Sequence, residues 1–171
     1  MKTNKVLVLP YGKNWQMEFE KIKDELIKVL DDVTIGIEHV GSTSVNGLAA
    51  KPIIDIDVII PTYSCFNIVV KRLNKLGYKY EKKLSIKDRE LFKYTGEMHL
   101  MTHNLYVCPR NSIELKRHII LRNYLRKNKE AMENYNSIKL KATELFPNNM
   151  DKYIEYKTSY IEEVYKKYNL L

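Results

Sequence analysis

The sequence predicts an α/β (α+β) domain in which a mixed β-sheet carries packed helices and a helical extension follows at the C-terminal end. Three observations carry this. Short Ile-, Val- and Tyr-rich runs bounded by Gly or Pro fall between residues 35 and 107. Apolar residues recur at helical spacing over residues 15–30 and 66–76, and the helical pattern from Asn111 onward breaks only near Pro147. A chain of 171 residues, 44% of them hydrophobic, with six Gly and five Pro, suits one domain with a substantial core.

Taken in order, Val6–Leu9 reads as a short strand. Asn14 is placed to cap a helix, WQMEFEKIKDELIKVLDD, whose Trp15, Phe19, Ile22, Leu26, Val29 and Leu30 share one face. Ile35–Val40 reads as a strand, and Ile53–Ile60, entered from Pro52 and ended by Pro61, as another. Phe66, Val69, Val70, Leu73 and Leu76 make a second helical stripe that Gly77 stops. Tyr78–Glu81, Leu91–Thr95 and Met101–Val107 are further strands, with Gly96 and Glu97 in the turn between the last two. Asn111 and Glu114 fit a capping box for a helix to about Asn128, and Glu130–Leu145 forms the next. Past Pro147, Asn148 or Asn149 caps a last helix carrying Tyr153, Tyr156, Tyr160, Ile161, Val164, Tyr165 and Tyr168, a face expected to pack. No linker rich in Gly, Pro or Ser intervenes. Residues 1–171 are therefore expected to form a single domain, with 111–171 as a fused helical extension.

The net charge of +8 admits an anionic partner. It is divided evenly about residue 111 with no dense basic arm, which argues against a nucleic-acid module. No apolar run reaches membrane-spanning length and no secretory signal is evident, so a cytoplasmic protein with no membrane partner is expected. Cys65 and Cys108 have the spacing of neither a redox pair nor a zinc knuckle.

The chemistry concentrates in HVGSTSVNGLAAKPIIDIDVII, His39 to Ile60. Strand alternation puts Asp55 and Asp57 on one face and Ile54, Ile56, Val58 and Ile60 on the other. Two carboxylates this close repel unless a cation lies between them, and oxygen ligands of this kind suit Mg²⁺ or Mn²⁺. Asp55 and Asp57 are thus the candidate catalytic and metal-holding acids. Gly41 and Ser42, directly after a strand, can admit and bind a phosphate, and Lys51 can neutralise it. The spacing fits neither a Walker A loop nor a GxGxxG turn. His118, Arg122 and Arg126 recur every four residues as a basic stripe, making Arg122 and Arg126 candidate phosphate ligands. His39, His103, His118 and Lys139 are candidate pocket residues, with Lys157 a similar case. In THNLYV, alternation sets His103, Leu105 and Val107 against Thr102, Asn104 and Tyr106.

HVGSTSVNGLAAKPIIDIDV closely resembles the signature of the GrpB family, a group placed in the nucleotidyltransferase superfamily. THNLYVC, ELKRHIILRNYLRKNKEAMENY and the lysines of SIKLK and YKTSYI resemble the rest of its pattern, so the resemblance covers nearly the whole chain. It implies a nucleotidyltransferase-like fold and metal-dependent transfer of a nucleoside monophosphate from a nucleoside triphosphate to a small-molecule acceptor, with pyrophosphate leaving. It also implies a third acid on a later strand, for which Glu90 and Glu97 are available. Where the family pattern commonly carries an acid within Phe-Arg-Asp-Tyr-Leu-Arg, this chain has Asn123 in Leu121-Arg122-Asn123-Tyr124-Leu125-Arg126. The alternative is a catalytically weak or inactive nucleotide- or anion-binding domain with a regulatory or structural role.

Overall fold

In the computed structural model, which describes residues 5–96 and 99–171, five strands form one mixed sheet. They are β1 (Gly36–Val40), β2 (Ile54–Ile60), β3 (Tyr78–Tyr80), β4 (Glu90–Tyr94) and β5 (His103–Pro109), in the spatial order β1-β2-β5-β4-β3. Strands β2 and β5 run parallel, and every other neighbouring pair is antiparallel. The expected turn at Gly96 and Glu97 extends outside the described residues at Glu97.

The alternation read in the sequence explains how β2 sits between two environments. Ile54, Ile56, Val58 and Ile60 are buried against α1 (Trp15–Leu30) and α2 (Phe66–Lys75), in a core that includes Trp15, Phe19, Ile22, Leu26, Leu73, Phe92 and Leu105. Burying a side chain such as Leu26 or Ile56 contributes roughly 1.5–3 kcal/mol, so this apolar face fixes the register of β2. Asp55 and Asp57 must then face the other way.

On that second side stand α3 (Ile113–Lys127), which contacts β1, and α4 (Lys129–Leu145) and α5 (Met150–Lys167), whose Lys139 and Lys157 border one cavity with Asp55 and Asn104. Their junction with the β1–β2 connection is a smaller core of Val45, Leu48, Leu125 and Tyr135, with Leu121, Tyr160 and Ile161 packed on it. The Tyr135 and Tyr160 rings stack at 5.1 Å, so part of the tyrosine face packs as expected.

Several boundaries differ from the sequence reading. Val6–Leu9 supplies only an isolated bridge, Leu9 to Ala50, while the Val6 N–H donates to the Pro147 carbonyl. Asn14 precedes α1 but makes no side-chain capping bond. Ser112 rather than Asn111 caps α3, its hydroxyl accepting from the Leu115 N–H, whereas Asn149 caps α5 by accepting from Lys152. Among the described residues, no helix is long and apolar enough to cross a membrane.

Candidate functional site

Strand β1 ends at Val40, and Gly41 then adopts φ +74° and ψ −175°, a conformation essentially confined to glycine. A Cβ placed on Gly41 would lie 2.5 Å from Asp55 Oδ2, so the missing side chain is what lets the turn close over the acid. A short 3-10 turn, Ser42–Ser44, follows. It is pinned from the core side by His39, which stacks on Phe19 at 4.7 Å and is hydrogen-bonded to the Thr43 hydroxyl at 2.9 Å. From the helical side, Arg126 Nε donates to the Ser44 carbonyl at 2.8 Å. Burial drives the His39 pKa down to about 4, aided by the charges of Arg126 and Arg122.

The sheet register then sets the surroundings of the two acids. Asp55 lies opposite Asn104 of β5 and Asp57 opposite Tyr106. Asn104 Nδ2 donates to Asp55 Oδ1 at 3.0 Å, and burial raises the Asp55 pKa above the usual carboxylate value. Asp57 has no exposed surface. Its Oδ1 accepts from Arg89 at 3.1 Å (Nη2) and 3.3 Å (Nε), and the Arg89 guanidinium carbon sits 3.4 Å from the centre of the Tyr106 ring. His118 Nδ1 approaches Asp57 Oδ2 to 3.5 Å, too far for a normal hydrogen bond, and both atoms are buried without a hydrogen-bond partner.

Among the described residues, no group of three or more His, Cys, Asp or Glu converges as a ready-made metal cage. The donor set nevertheless fits Mg²⁺ of the kind that needs only one or two protein carboxylates and takes its remaining oxygens from water and substrate phosphate. The orphaned Asp57 Oδ2 is the acceptor such an ion would satisfy.

Cations gather on the other side of Ser42. Lys139 of α4 is buried and donates to Ser42 Oγ at 2.7 Å and to the Ala49 carbonyl at 2.6 Å. Lys51 and Lys157 lie 5.7 and 5.1 Å from the Tyr153 ring centre. None of the three lysines pairs with a carboxylate among the described ion pairs. Burial first, and then the neighbouring lysine charges, push Lys139 down to about 7 and Lys157 to about 8. Crowded, partly desolvated ammonium groups repel one another, and a nearby negative charge favours their protonated forms.

Two cavities open here. One of about 400 Å³ is lined by Ser42, Lys51, Asp55, Asn104, Lys139 and Lys157, among others. The other, of about 200 Å³, is bounded by Gly41, Ser42, Asp55, His118, Arg122 and Lys157, with Leu121, Leu125 and Ile161 supplying apolar wall. Ser42, Asp55 and Lys157 border both. A larger cavity of about 710 Å³ lies between α4 and α5, and no residue of the Gly41–Asp57 stretch lines it.

The GrpB protein family profile matches residues 5–167. The chain belongs to the GrpB family. Glutamate-rich protein GrpB of Alkalihalophilus pseudofirmus is 31% identical over 164 residues, covering 93% of each chain. The crystal structure of conserved protein GrpB from Enterococcus faecalis superposes with a TM-score of 0.79 at 30% identity, over 95% of this chain and 99% of that one. Cid1 in complex with the UTP analogue UMPNPP matches with a TM-score of 0.53 at 13% identity, over 78% of this chain and 41% of Cid1. That likeness shows the fold, so the GrpB sheet and its packed helices form a nucleotidyltransferase-like fold.

On this GrpB framework Gly41, Ser42, Lys51, Asp55, His118, Arg122 and Lys139 come together around the two cavities, with Asp57 enclosed next to Asp55. Arg122 reaches the smaller cavity while its Nη1 donates to Glu38 Oε2 at 2.6 Å and to the His39 carbonyl at 2.9 Å. Three candidates are placed elsewhere. Arg126 holds the Ser44 carbonyl, His39 packs under the turn, and His103 sits on the apolar face, hydrogen-bonded to the Tyr78 hydroxyl and the Met101 carbonyl, each at 2.7 Å. Glu90 accepts from the Tyr63 and Tyr80 hydroxyls rather than facing Asp55, Glu97 lies outside the described residues, and Asn123 accepts from its neighbour Arg122. Arg89 was not anticipated. Alternation had grouped Asn104 with Tyr106, but only the parallel pairing of β5 with β2 shows that their side is the one holding the acids.

Proposed function

We propose that this chain is a metal-dependent nucleotidyltransferase that moves a nucleoside monophosphate from a nucleoside triphosphate to a small-molecule acceptor. The observation carrying the reading is the convergence of Lys51, Lys139 and Lys157 with Ser42 and Asp55 on one cavity. A triphosphate brings the negative charge these lysines lack, and the Ser42 hydroxyl, held by Lys139, offers a phosphate oxygen a donor. The fold likeness to Cid1, which was solved with a UTP analogue, supports the choice of ligand.

Asp55 and Asp57 would hold Mg²⁺ or Mn²⁺. When bound, the ion neutralises charge on the phosphate and on the attacking and leaving oxygens. The rest is positioning by the chain itself. Asp55 borders both cavities, so a hydroxyl compound in the smaller one meets the α-phosphate of a nucleotide in the larger. The acceptor oxygen bonds to the α-phosphorus as the bond to pyrophosphate breaks, and the acceptor's hydroxyl proton passes to water. A cavity of about 200 Å³ suits a small acceptor better than a polynucleotide end. The cytoplasm is the proposed compartment, supported by two free thiols at Cys65 and Cys108.

Incubation with labelled nucleoside triphosphates, a metabolite pool and Mg²⁺ or Mn²⁺ tests this. Pyrophosphate and a nucleotidylated product are expected; neither appearing with any common nucleotide or either metal would overturn transfer. A second reading, a nucleotide- or anion-binding domain with a regulatory or structural role, is favoured by Asn104. It stands on β5 beside Asp55, where a carboxylate would complete an acidic trio. That reading predicts nucleotide binding with no pyrophosphate release.

A further inference from the structure

We propose that Arg89 is a built-in cation of the site, taking the place against Asp57 that a second divalent ion would otherwise fill, so that the bound nucleotide is accompanied by one divalent ion. This rests on the nucleotide-binding reading above. Asp57 is fully enclosed, and a buried carboxylate needs a partner charge. Arg89 supplies it permanently, since a guanidinium does not lose its proton in proteins.

The arginine is held rather than merely nearby. Two of its N–H groups meet the same Asp57 oxygen, its planar group lies over Tyr106, and Tyr106 is itself the β5 partner of Asp57. Its backbone is tied by mutual hydrogen bonds with Ile86 across a tight turn in which Asp88 takes φ +57°. Asn104 points the same way. It occupies one Asp55 oxygen with an N–H donor and adds no charge, so the two acids and one arginine leave a single net negative charge. One oxygen, Asp57 Oδ2, is buried without a hydrogen bond, 3.5 Å from His118 Nδ1, and is the remaining acceptor that a single ion would satisfy.

Counting Mn²⁺ per bound nucleotide, by electron paramagnetic resonance of free Mn²⁺ with a saturating nonhydrolysable triphosphate, tests the assignment. One ion is expected on the wild-type complex and two on Arg89→Ala combined with Asn104→Asp. Arg89→Lys, which keeps a cation, should stay at one. Two ions on the wild type would overturn the proposal, as would a folded double variant that still takes one. Should the Ala variant unfold, Arg89→Met with Asn104→Asp replaces it, with the same two expected. Nucleotide binding is followed separately by calorimetry with Mg²⁺ present, so a wild type that binds no nucleotide defeats the parent reading, whereas binding with the wrong ion count defeats only this one.

Discussion

Asp57 and Arg89 form an enclosed ion pair beneath the candidate site, with 0% and 12% of their side-chain surfaces exposed and 3.1 Å between Oδ1 and Nη2. Arg89→Ala leaves the carboxylate buried with, among the described ion pairs, only His118 beside it, at 3.5 Å. The expected cost is about 3 kcal/mol or more of unfolding free energy, read by urea denaturation. Replacing both partners, by Asp57→Asn with Arg89→Met, should recover part of it. Wild-type stability in Arg89→Ala would contradict the pairing.

Gly41→Ala makes a local test of the turn. The added Cβ meets Asp55 Oδ2 at 2.5 Å in a backbone region other residues avoid, so a loss of roughly 1–3 kcal/mol is expected. Because the clash is with Asp55, nucleotide affinity should fall as well. A variant that loses stability and keeps full affinity would detach Gly41 from the binding site.

Much of this site was legible because strand alternation is a local rule: it put Asp55 and Asp57 together and left the isoleucines to the core. Gly41 was read as room for a ligand, and the structure sets Asp55 Oδ2 2.5 Å from where its Cβ would lie, a close approach that only the sheet register reveals. Arg89 and Asn104 were not legible. Their place depends on β5 running parallel beside β2, a pairing between segments 49 residues apart at Asp55 and Asn104 that no local pattern encodes. The basic stripe on α3 was read as one surface, yet Arg122 reaches the cavity while Arg126 is used on the Ser44 carbonyl. His103 looked like a site residue from its motif and packs with Tyr78 instead.

The lysine cluster should make triphosphate binding pH-dependent. Lys139, lowered to about 7, is mostly neutral at pH 8 in the free protein, and an arriving polyanion favours its charged form. Triphosphate binding at pH 8 should therefore take up protons, seen as an enthalpy that varies with buffer ionisation heat, and should take up fewer at pH 6.5. Lys139→Met should reduce the uptake at pH 8. Buffer-independent enthalpies at both pH values would contradict it.

His39 contributes to acid sensitivity. Its pKa of about 4 in the folded state lies below the ordinary 6.5, so between these values the unfolded chain binds a proton the folded one refuses. Its contribution to stability is complete above pH 6.5 and is lost as pH falls toward 4. In His39→Gln, the slope of unfolding free energy against pH over that window should shrink by up to one proton. An unchanged slope would mean that His39 is protonated in place.

On the proposed function, Lys139 and Lys157, with Ser42 and Asp55, hold a triphosphate. Calorimetric titration of a nonhydrolysable nucleoside triphosphate with Mg²⁺ into wild type and Lys139→Met/Lys157→Met tests it most directly. Saturable one-to-one binding is expected for the wild type and a loss of at least tenfold in affinity for the variant, about 1.4 kcal/mol. Equal affinity in both proteins, or no binding to the wild type with any of the common bases, would contradict the account.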